Sequence, residues 1–311
     1  MPGGDASAPS RFARWEGPVS VLLIFGLLGA GLVAGWLLRN RSQGAAVDPG
    51  VSHVHGLGVN PRDGMLFAAT HYGLFSIPPD GRATRVADRY QDTMGFTVVG
   101  DDHFLGSGHP DLQDAQLRRE GKPPHLGLVE SKDAGDTWKP LSLLGEADFH
   151  SISVAGGRTY AYESTGDRLM VSTDRGSTWD SRAAGIGMRS IAASPSVADR
   201  VVAVTVGGLR LSDDGGRTFE SLPGAPRAVL ASWAANGTLW TIDADGRLFR
   251  SDGAGSPWSE RGVAPGKPQA LLAAGEEVFV AVEDSERRTS IHASPDGGSS
   301  WRQRYVDSPA G

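Results

Sequence analysis

One eight-residue pattern recurs four times in this 311-residue chain and constrains its fold more than anything else in it. The copies read Ser131-Lys-Asp133-Ala-Gly135-Asp-Thr137-Trp138, Ser172-Thr-Asp174-Arg-Gly176-Ser-Thr178-Trp179, Ser212-Asp-Asp214-Gly-Gly216-Arg-Thr218-Phe219 and Ser294-Pro-Asp296-Gly-Gly298-Ser-Ser300-Trp301. Each is Ser-x-Asp-x-Gly-x-Thr/Ser-aromatic and lies between two strand-like runs, as Arg168–Val171 and Thr178–Ser181 do around the second. Short Ser and Asp side chains hydrogen-bond nearby backbone amides, and Gly takes a positive φ without steric cost. The pattern is therefore read as a turn device, with structural roles for Asp133, Asp174, Asp214 and Asp296.

The spacing counts the repeats. The closing aromatics fall at 138, 179, 219 and 301, so the gaps are 41, 40 and 82, and the last has room for two units. A degenerate copy, Ser251-Asp-Gly-Ala-Gly255-Ser-Pro-Trp258, sits in that gap without its aspartate. Upstream, Met65–Thr70 and Gly73–Ile77 read as strands of a unit lacking the motif. Six units across 53–311, near 43 residues each, match four-stranded blades. Residues 39–52 are too few for a seventh. Glycine, 43 of 311 residues, is about twice the usual ~7% share, as short strands joined by tight turns require. The expectation is an all-β, six-bladed β-propeller of antiparallel blades, running from a first strand near Val54–Val59 to a last near Ser300–Tyr305. The ring is expected to close by packing blade one against blade six, and residues 112–120 are expected to form a short helix inside a loop.

On these motifs the chain resembles the Asp-box (BNR) repeat β-propellers. That group includes sialidases, sortilin-type receptors, photosystem II assembly factors and bacterial membrane-associated glycosyl hydrolase-like proteins. The resemblance covers residues 53–311. It implies the propeller and says little about chemistry, because the box is structural. Sialidases use a Tyr nucleophile, an arginine triad and a Phe/Tyr-Arg-Ile-Pro motif. The nearest match here, Phe75-Ser76-Ile77-Pro78, has serine in place of the arginine, so sialidase activity is not expected.

The N-terminus is of another kind. Val19–Leu38 is twenty residues without a charge, enough at ~1.5 Å per residue to span a ~30 Å hydrocarbon core. Its length exceeds the usual apolar region of a cleaved signal, and the next small-residue site, Gly44-Ala45-Ala46, is a weak cleavage candidate. The reading is a short cytoplasmic tail (1–18), an uncleaved transmembrane signal anchor (19–38), a linker (39–52) and a propeller (53–311). Flanking arginines are balanced at Arg11 and Arg14 against Arg39 and Arg41, so charge does not set orientation. Analogy with exported Asp-box proteins places the propeller outside the cytoplasm, on a single-pass protein of the cell membrane. The chain has no cysteine, which excludes disulfides, thiolate chemistry and cysteine-ligated zinc. A net charge of −6 without a long basic run argues against nucleic-acid binding.

Function is expected on the top face. Threading the repeats onto a propeller puts His53 and His55 at the start of the first inner strand and His71 at the end of its neighbour. Asp92 and Met94 open the second inner strand. His109 and Asp111 begin a long insertion that His125 closes, His150 opens the third inner strand, and Glu163 ends the strand after it. All fall on one face, while His103 and every Asp-box fall on the other. Two chemistries could use the convergence. Histidines with carboxylates could hold a transition metal, with His55, His71 and His109 as ligands and His53 and His150 beside them. Alternatively, Asp92, Asp111 and Glu163 could supply the carboxylate pair of a glycoside hydrolase, with Arg189 and Arg227 holding an anionic substrate. Binding of a glycan or protein ligand is the favoured reading, hydrolysis the alternative.

Overall fold

Among the described residues twenty-four short strands are laid down in chain order, and every four consecutive ones make a separate antiparallel sheet. The computed structural model describes residue 48 and residues 50–111, 113–254 and 257–306. The tail and membrane-span assignments, and most of the linker, lie outside the described residues.

The first blade is β1 (Val54–Val59), β2 (Leu66–Thr70), β3 (Gly73–Ile77) and β4 (Thr84–Arg85). The second is β5 (Asp92–Gly100), β6 (His103–His109), β7 (Leu128–Ser131) and β8 (Lys139–Ser142). The third is β9 (Phe149–Ala155), β10 (Arg158–Glu163), β11 (Arg168–Ser172) and β12 (Asp180–Ala184). The fourth is β13 (Met188–Ala193), β14 (Val201–Thr205), β15 (Gly208–Ser212) and β16 (Glu220–Ser221). The fifth is β17 (Leu230–Trp233), β18 (Leu239–Ile242), β19 (Arg247–Ser251) and β20 (Ser259–Val263). The sixth is β21 (Lys267–Ala274), β22 (Glu277–Glu283), β23 (Thr289–Ser294) and β24 (Arg302–Val306). Blade count, blade size and the first strand match the sequence expectation, and the last strand begins two residues later than expected.

The inner strands β1, β5, β9, β13, β17 and β21 stand side by side around a channel, and β21 returns to β1. No strand is shared between the first and last blades, so closure relies on packing. Val54, Leu57, Leu66, Phe75 and Ile77 of blade one share a core with Ala270, Phe279, Ala281 and Ile291 of blade six. Val54 N also donates to Gln269 Oε1 at 3.0 Å. Each inner strand has one edge without a sheet partner, and in β9, β13, β17 and β21 serines from the preceding blade serve it. Phe149 N donates to Ser107 Oγ (2.9 Å), Ala193 N to Ser153 Oγ (2.9 Å) and Ala273 N to Ser232 Oγ (3.0 Å). Buried amides left unpaired would each cost about 1–3 kcal/mol.

The repeated motif builds the same hydrogen-bond net four times. In the second copy, Ser172 Oγ donates to Asp174 Oδ1 (2.7 Å) and accepts from Gly176 N (2.7 Å). Thr178 donates its N to Asp174 Oδ1 (2.8 Å) and its hydroxyl to Oδ2 (2.6 Å). The set recurs around Asp133, Asp214 and Asp296. The central glycines have φ of 93°, 88°, 87° and 94°. A Cβ on Gly135, Gly176, Gly216 or Gly298 would lie 2.3–2.6 Å from a Cδ2 of Leu74, Leu128, Leu169 or Leu248. In every case that leucine belongs to the third strand of the preceding blade. The turn is thus an interblade joint as well as a hairpin.

One expectation fails. Residues 115–117 form a single 3-10 turn, and no longer helix follows. Asp114, which would cap a helix there, makes no cap hydrogen bond and instead pairs with Arg89. Pro123 and Pro124 then stop any continuation.

Two outcomes follow from the joint. Gly216→Ala should lower unfolding free energy by about 1–3 kcal/mol in urea titration through backbone strain, plus the clash with Leu169. Gly224→Ala is the control, since its φ of 70° is strained but its Cβ would meet nothing within 4 Å. Equal losses at the two positions would show that the leucine contact is irrelevant. The second outcome concerns acid. Thr178 and Ser172 hydrogen bonds hold the Asp174 carboxyl down at about 2, from an ordinary 3.8. A depressed carboxyl contributes stability above its unfolded value and loses it as pH falls through the folded one. Asp174→Ala should therefore lower the melting temperature at pH 7, and the difference from wild type should shrink between about pH 4 and 2.

Candidate functional site

Five inner strands are interrupted near their N-terminal ends by an extra residue opposite the neighbouring strand. In β1, Val54 pairs with Thr70 and Gly56 with Ala69, leaving His55 bulged. The same displacement leaves Met94 in β5, His150 in β9, Arg189 in β13 and Gln269 in β21. A bulge re-aims its side chain and commonly borders a binding site. Here it does so at one end of the ring, and His55 and His150 line the mouth of a central channel of about 320 Å³.

The histidines gather around two aspartates. His71 Nδ1 lies 2.9 Å from Asp92 Oδ1 and 3.2 Å from His55 Nε2. His53, at φ 50°, stacks on His71 with ring centroids 5.0 Å apart. Asp92 sits opposite His109 in the β5–β6 ladder, and its Oδ2 meets His109 Nδ1 at 3.2 Å. Gly108 makes this approach feasible, because a Cβ there would be 2.2 Å from the Asp92 carbonyl. On the far side of His109, Nε2 is 3.8 Å from Asp148 Oδ2, which also meets His150 Nε2 at 2.9 Å. The insertion after β6 returns His125 to His109, with ring centroids 5.8 Å apart. Donor atoms of His53, His55 and His71 lie within 4.8 Å of one another, as do those of His109, His125 and Asp148.

The electrostatics favour neutral imidazoles at His53 and His55 and an ionised carboxylate at Asp148. Burial, then the neighbouring His71 and His53, push His55 down to about 3. Burial and His71 lower His53 as well. Burial acts to raise Asp148, but the hydrogen bond from His150 and the charges of His150, His109 and His125 outweigh it, so its carboxyl is held low. Asp148 Oδ1 is buried without a hydrogen-bond partner.

Not every expected residue joins. Asp111 accepts backbone amides from Tyr90 (2.8 Å) and Gln113 (2.9 Å) and acts as a loop clasp. Glu163 is fully buried and is spent on Thr165, Gly166 N and Arg168. Neither has a hydrogen bond or ion pair to the histidines among the described residues. Arg189 and Arg227 line a separate cavity of about 410 Å³ with Thr205, Gly207 and Val229. His109 groups with His125 and Asp148, not with His55 and His71. Asp148 was missed by the sequence reading, although Asp148-Phe-His150 repeats the spacing of His53-Val-His55 at the equivalent approach to an inner strand. His103, as expected, lies at the opposite end of its strand and pairs with Glu130 at 2.8 Å.

No protein-family model and no curated protein matches the chain. Solved structures do. A GH74 xyloglucanase from Xanthomonas campestris superposes with a TM-score of 0.55 at 17% identity, over 82% of this chain and 45% of that one. The chain thus spans less than half the length of that enzyme. A gluconolactonase from X. campestris gives 0.58 at 13% identity, over 74% and 83%. A chain of a nidogen/laminin complex gives 0.57 at 13%, over 78% and 97%. At these identities the likeness establishes the fold. The chain is a β-propeller.

The buried histidine gives a stability test. With its folded pKa lowered, His55 refuses a proton that the unfolded chain accepts between about pH 6.5 and 3. Stability of the metal-free protein should therefore fall as pH drops through that window, and His55→Gln should flatten the decline in pH-dependent thermal melts. An unchanged slope would show that His55 titrates normally.

Proposed function

We propose that this chain is a membrane-anchored Asp-box propeller that binds a ligand at its top face through a transition metal held by the histidine–aspartate cluster. One observation carries the reading: imidazoles and aspartates from three blades converge with donor atoms a few ångströms apart. Imidazole with carboxylate suits zinc, copper, nickel or iron. Asp92 and His150 add hydrogen bonds that orient ligand side chains, as metal sites require. The ligand, a glycan or a protein segment, would lie over the channel mouth and complete the coordination. Four copies of the turn net support the Asp-box assignment, and the uncharged run 19–38 supports the anchor, with the propeller outside the cytoplasm.

Hydrolysis of a glycoside is the second reading, because Asp92 and Asp148 approach the two ring nitrogens of His109 from adjacent blades. A hydrolase needs one carboxylic acid held protonated. Asp111, Asp148 and Glu163 are instead all held below their ordinary values, which favours binding.

Purified protein incubated with Zn²⁺ and freed of excess should retain the metal by elemental analysis. His55→Ala/His109→Ala should lose it while keeping the wild-type circular dichroism spectrum. A wild type that retains none removes the metal from this reading, and turnover on a glycoside panel that Asp92→Asn abolishes would favour the hydrolase. The anchor is checked separately. Full-length protein should fractionate with membranes, and a mature N-terminus near residue 47 by mass spectrometry would mean a cleaved signal.

A further inference from the structure

We propose that the top face holds two metal ions in adjacent pockets, His53/His55/His71/Asp92 and His109/His125/Asp148, coupled through the Asp92–His109 hydrogen bond. The inference rests on the metal reading above and adds stoichiometry, ligand assignment and coupling to it.

The first pocket has the spacing of a coordination sphere. Ligands about 2.0–2.1 Å from a tetrahedral ion are roughly 3.3 Å from each other. His55 Nε2 and His71 Nδ1 are 3.2 Å apart, Asp92 Oδ1 lies 2.9 Å from the latter and 3.9 Å from the former. His53 stands edge-on to His55 with centroids 4.8 Å apart and supplies the remaining imidazole.

The second pocket follows from proton bookkeeping on His109. A neutral imidazole has one N–H and one lone pair. Asp92 Oδ2, 3.2 Å from Nδ1, is an acceptor and takes the N–H. Nε2 is then an acceptor 3.8 Å from Asp148 Oδ2, a second acceptor that also takes the Ser164 hydroxyl at 3.3 Å, and the separation is too long for a hydrogen bond. A cation between them turns that repulsion into coordination. Asp148 is only 4% exposed, and its Oδ1 has no hydrogen-bond partner, so its carboxylate is desolvated with one oxygen uncommitted. His125 supplies the third donor, and His150 fixes the carboxylate from behind at 2.9 Å.

A single ion does not serve both sets. Asp92 presents Oδ1 to His71 and Oδ2 to His109, so its carboxylate separates the pockets while touching both. Asp92 is then a ligand of the first ion and a positioning residue for the second, since it fixes the His109 tautomer. Outer carboxylates of this kind typically alter metal affinity 10–100-fold.

The test uses the full-length protein loaded with Zn²⁺, with metal and protein quantified after removal of excess. Wild type should retain two ions per chain. His53→Ala/His71→Ala and His125→Ala/Asp148→Asn should each retain one, with unchanged circular dichroism. In the His53→Ala/His71→Ala background, Asp92→Ala should weaken the remaining Zn²⁺ about 10–100-fold by competition titration. Asp92→Asn, which keeps an acceptor for His109, should recover part of that loss. One ion per wild-type chain, abolished by either pair of substitutions, would mean a single shared centre, overturning this inference and leaving the proposed function standing. One ion that only one pair abolishes would likewise overturn it. A folded wild type that retains no ion would overturn both.

Discussion

The joint on which this propeller depends is a glycine pressed against a leucine of the blade before it. Four blades use it in the same form, from Gly135 on Leu74 to Gly298 on Leu248. The glycine answers two demands at once: a left-handed φ to close the turn and the absence of a Cβ where the neighbouring leucine arrives. Ser and Asp of the motif hold the turn in that shape with their own side chains, so its position is set before any packing occurs. Trp179 extends the joint, since its Nε1 donates to Ser142 Oγ (2.8 Å), which in turn donates to the Gly176 carbonyl (2.6 Å). Blade-to-blade spacing is fixed at this lower end, and the upper end is left to loops and bulges.

That division explains where chemistry can sit. A ring whose lower rim is locked by repeated turns tolerates irregularity at its upper rim. The bulges at His55, Met94, His150, Arg189 and Gln269 occur there, on strands whose lower portions keep regular pairing, apart from one shift beside the β5–β6 turn. Each inserts one residue and re-aims one side chain, and at His55 and His150 that side chain lines the channel. Serine hydroxyls from neighbouring blades satisfy the exposed inner edges, so bulging costs few unpaired amides. Fold and site are therefore nearly independent in this chain. Its motif aspartates lie at one end and its histidine-linked aspartates at the other.

The independence also decides what was legible. Gaps of 41, 40 and 82 between aromatics were enough to count six blades, because the joint must recur once per blade. The face shared by His53, His55, His71, Asp92, His109 and His150 was legible too, since strand direction alone assigns it. Division of those residues between two aspartates was not, because it depends on a bulge at His55 and a close backbone approach at Gly108, and neither has a sequence signature. The helix expected over 112–120 failed for a related reason. Its polar pattern suggested local structure, but Asp114 was drawn away by Arg89, a partner 25 positions distant.

The carboxylates show how to separate a working acid from a structural one on a crowded face. Asp111, Glu163, Asp92 and Asp148 all lie near the top, and residue type does not distinguish them. Their acceptors do. Glu163 has both oxygens committed, to Thr165, Gly166 and Arg168, and Asp111 has both committed to backbone amides. Such groups hold turns, and nothing is left to offer a ligand. Asp92 and Asp148 are instead partnered by imidazoles, and Asp148 keeps one buried oxygen unspent. A buried acceptor without a donor is costly in a finished structure. Its presence beside three histidines is the strongest physical support for the cation site proposed at this end of the propeller.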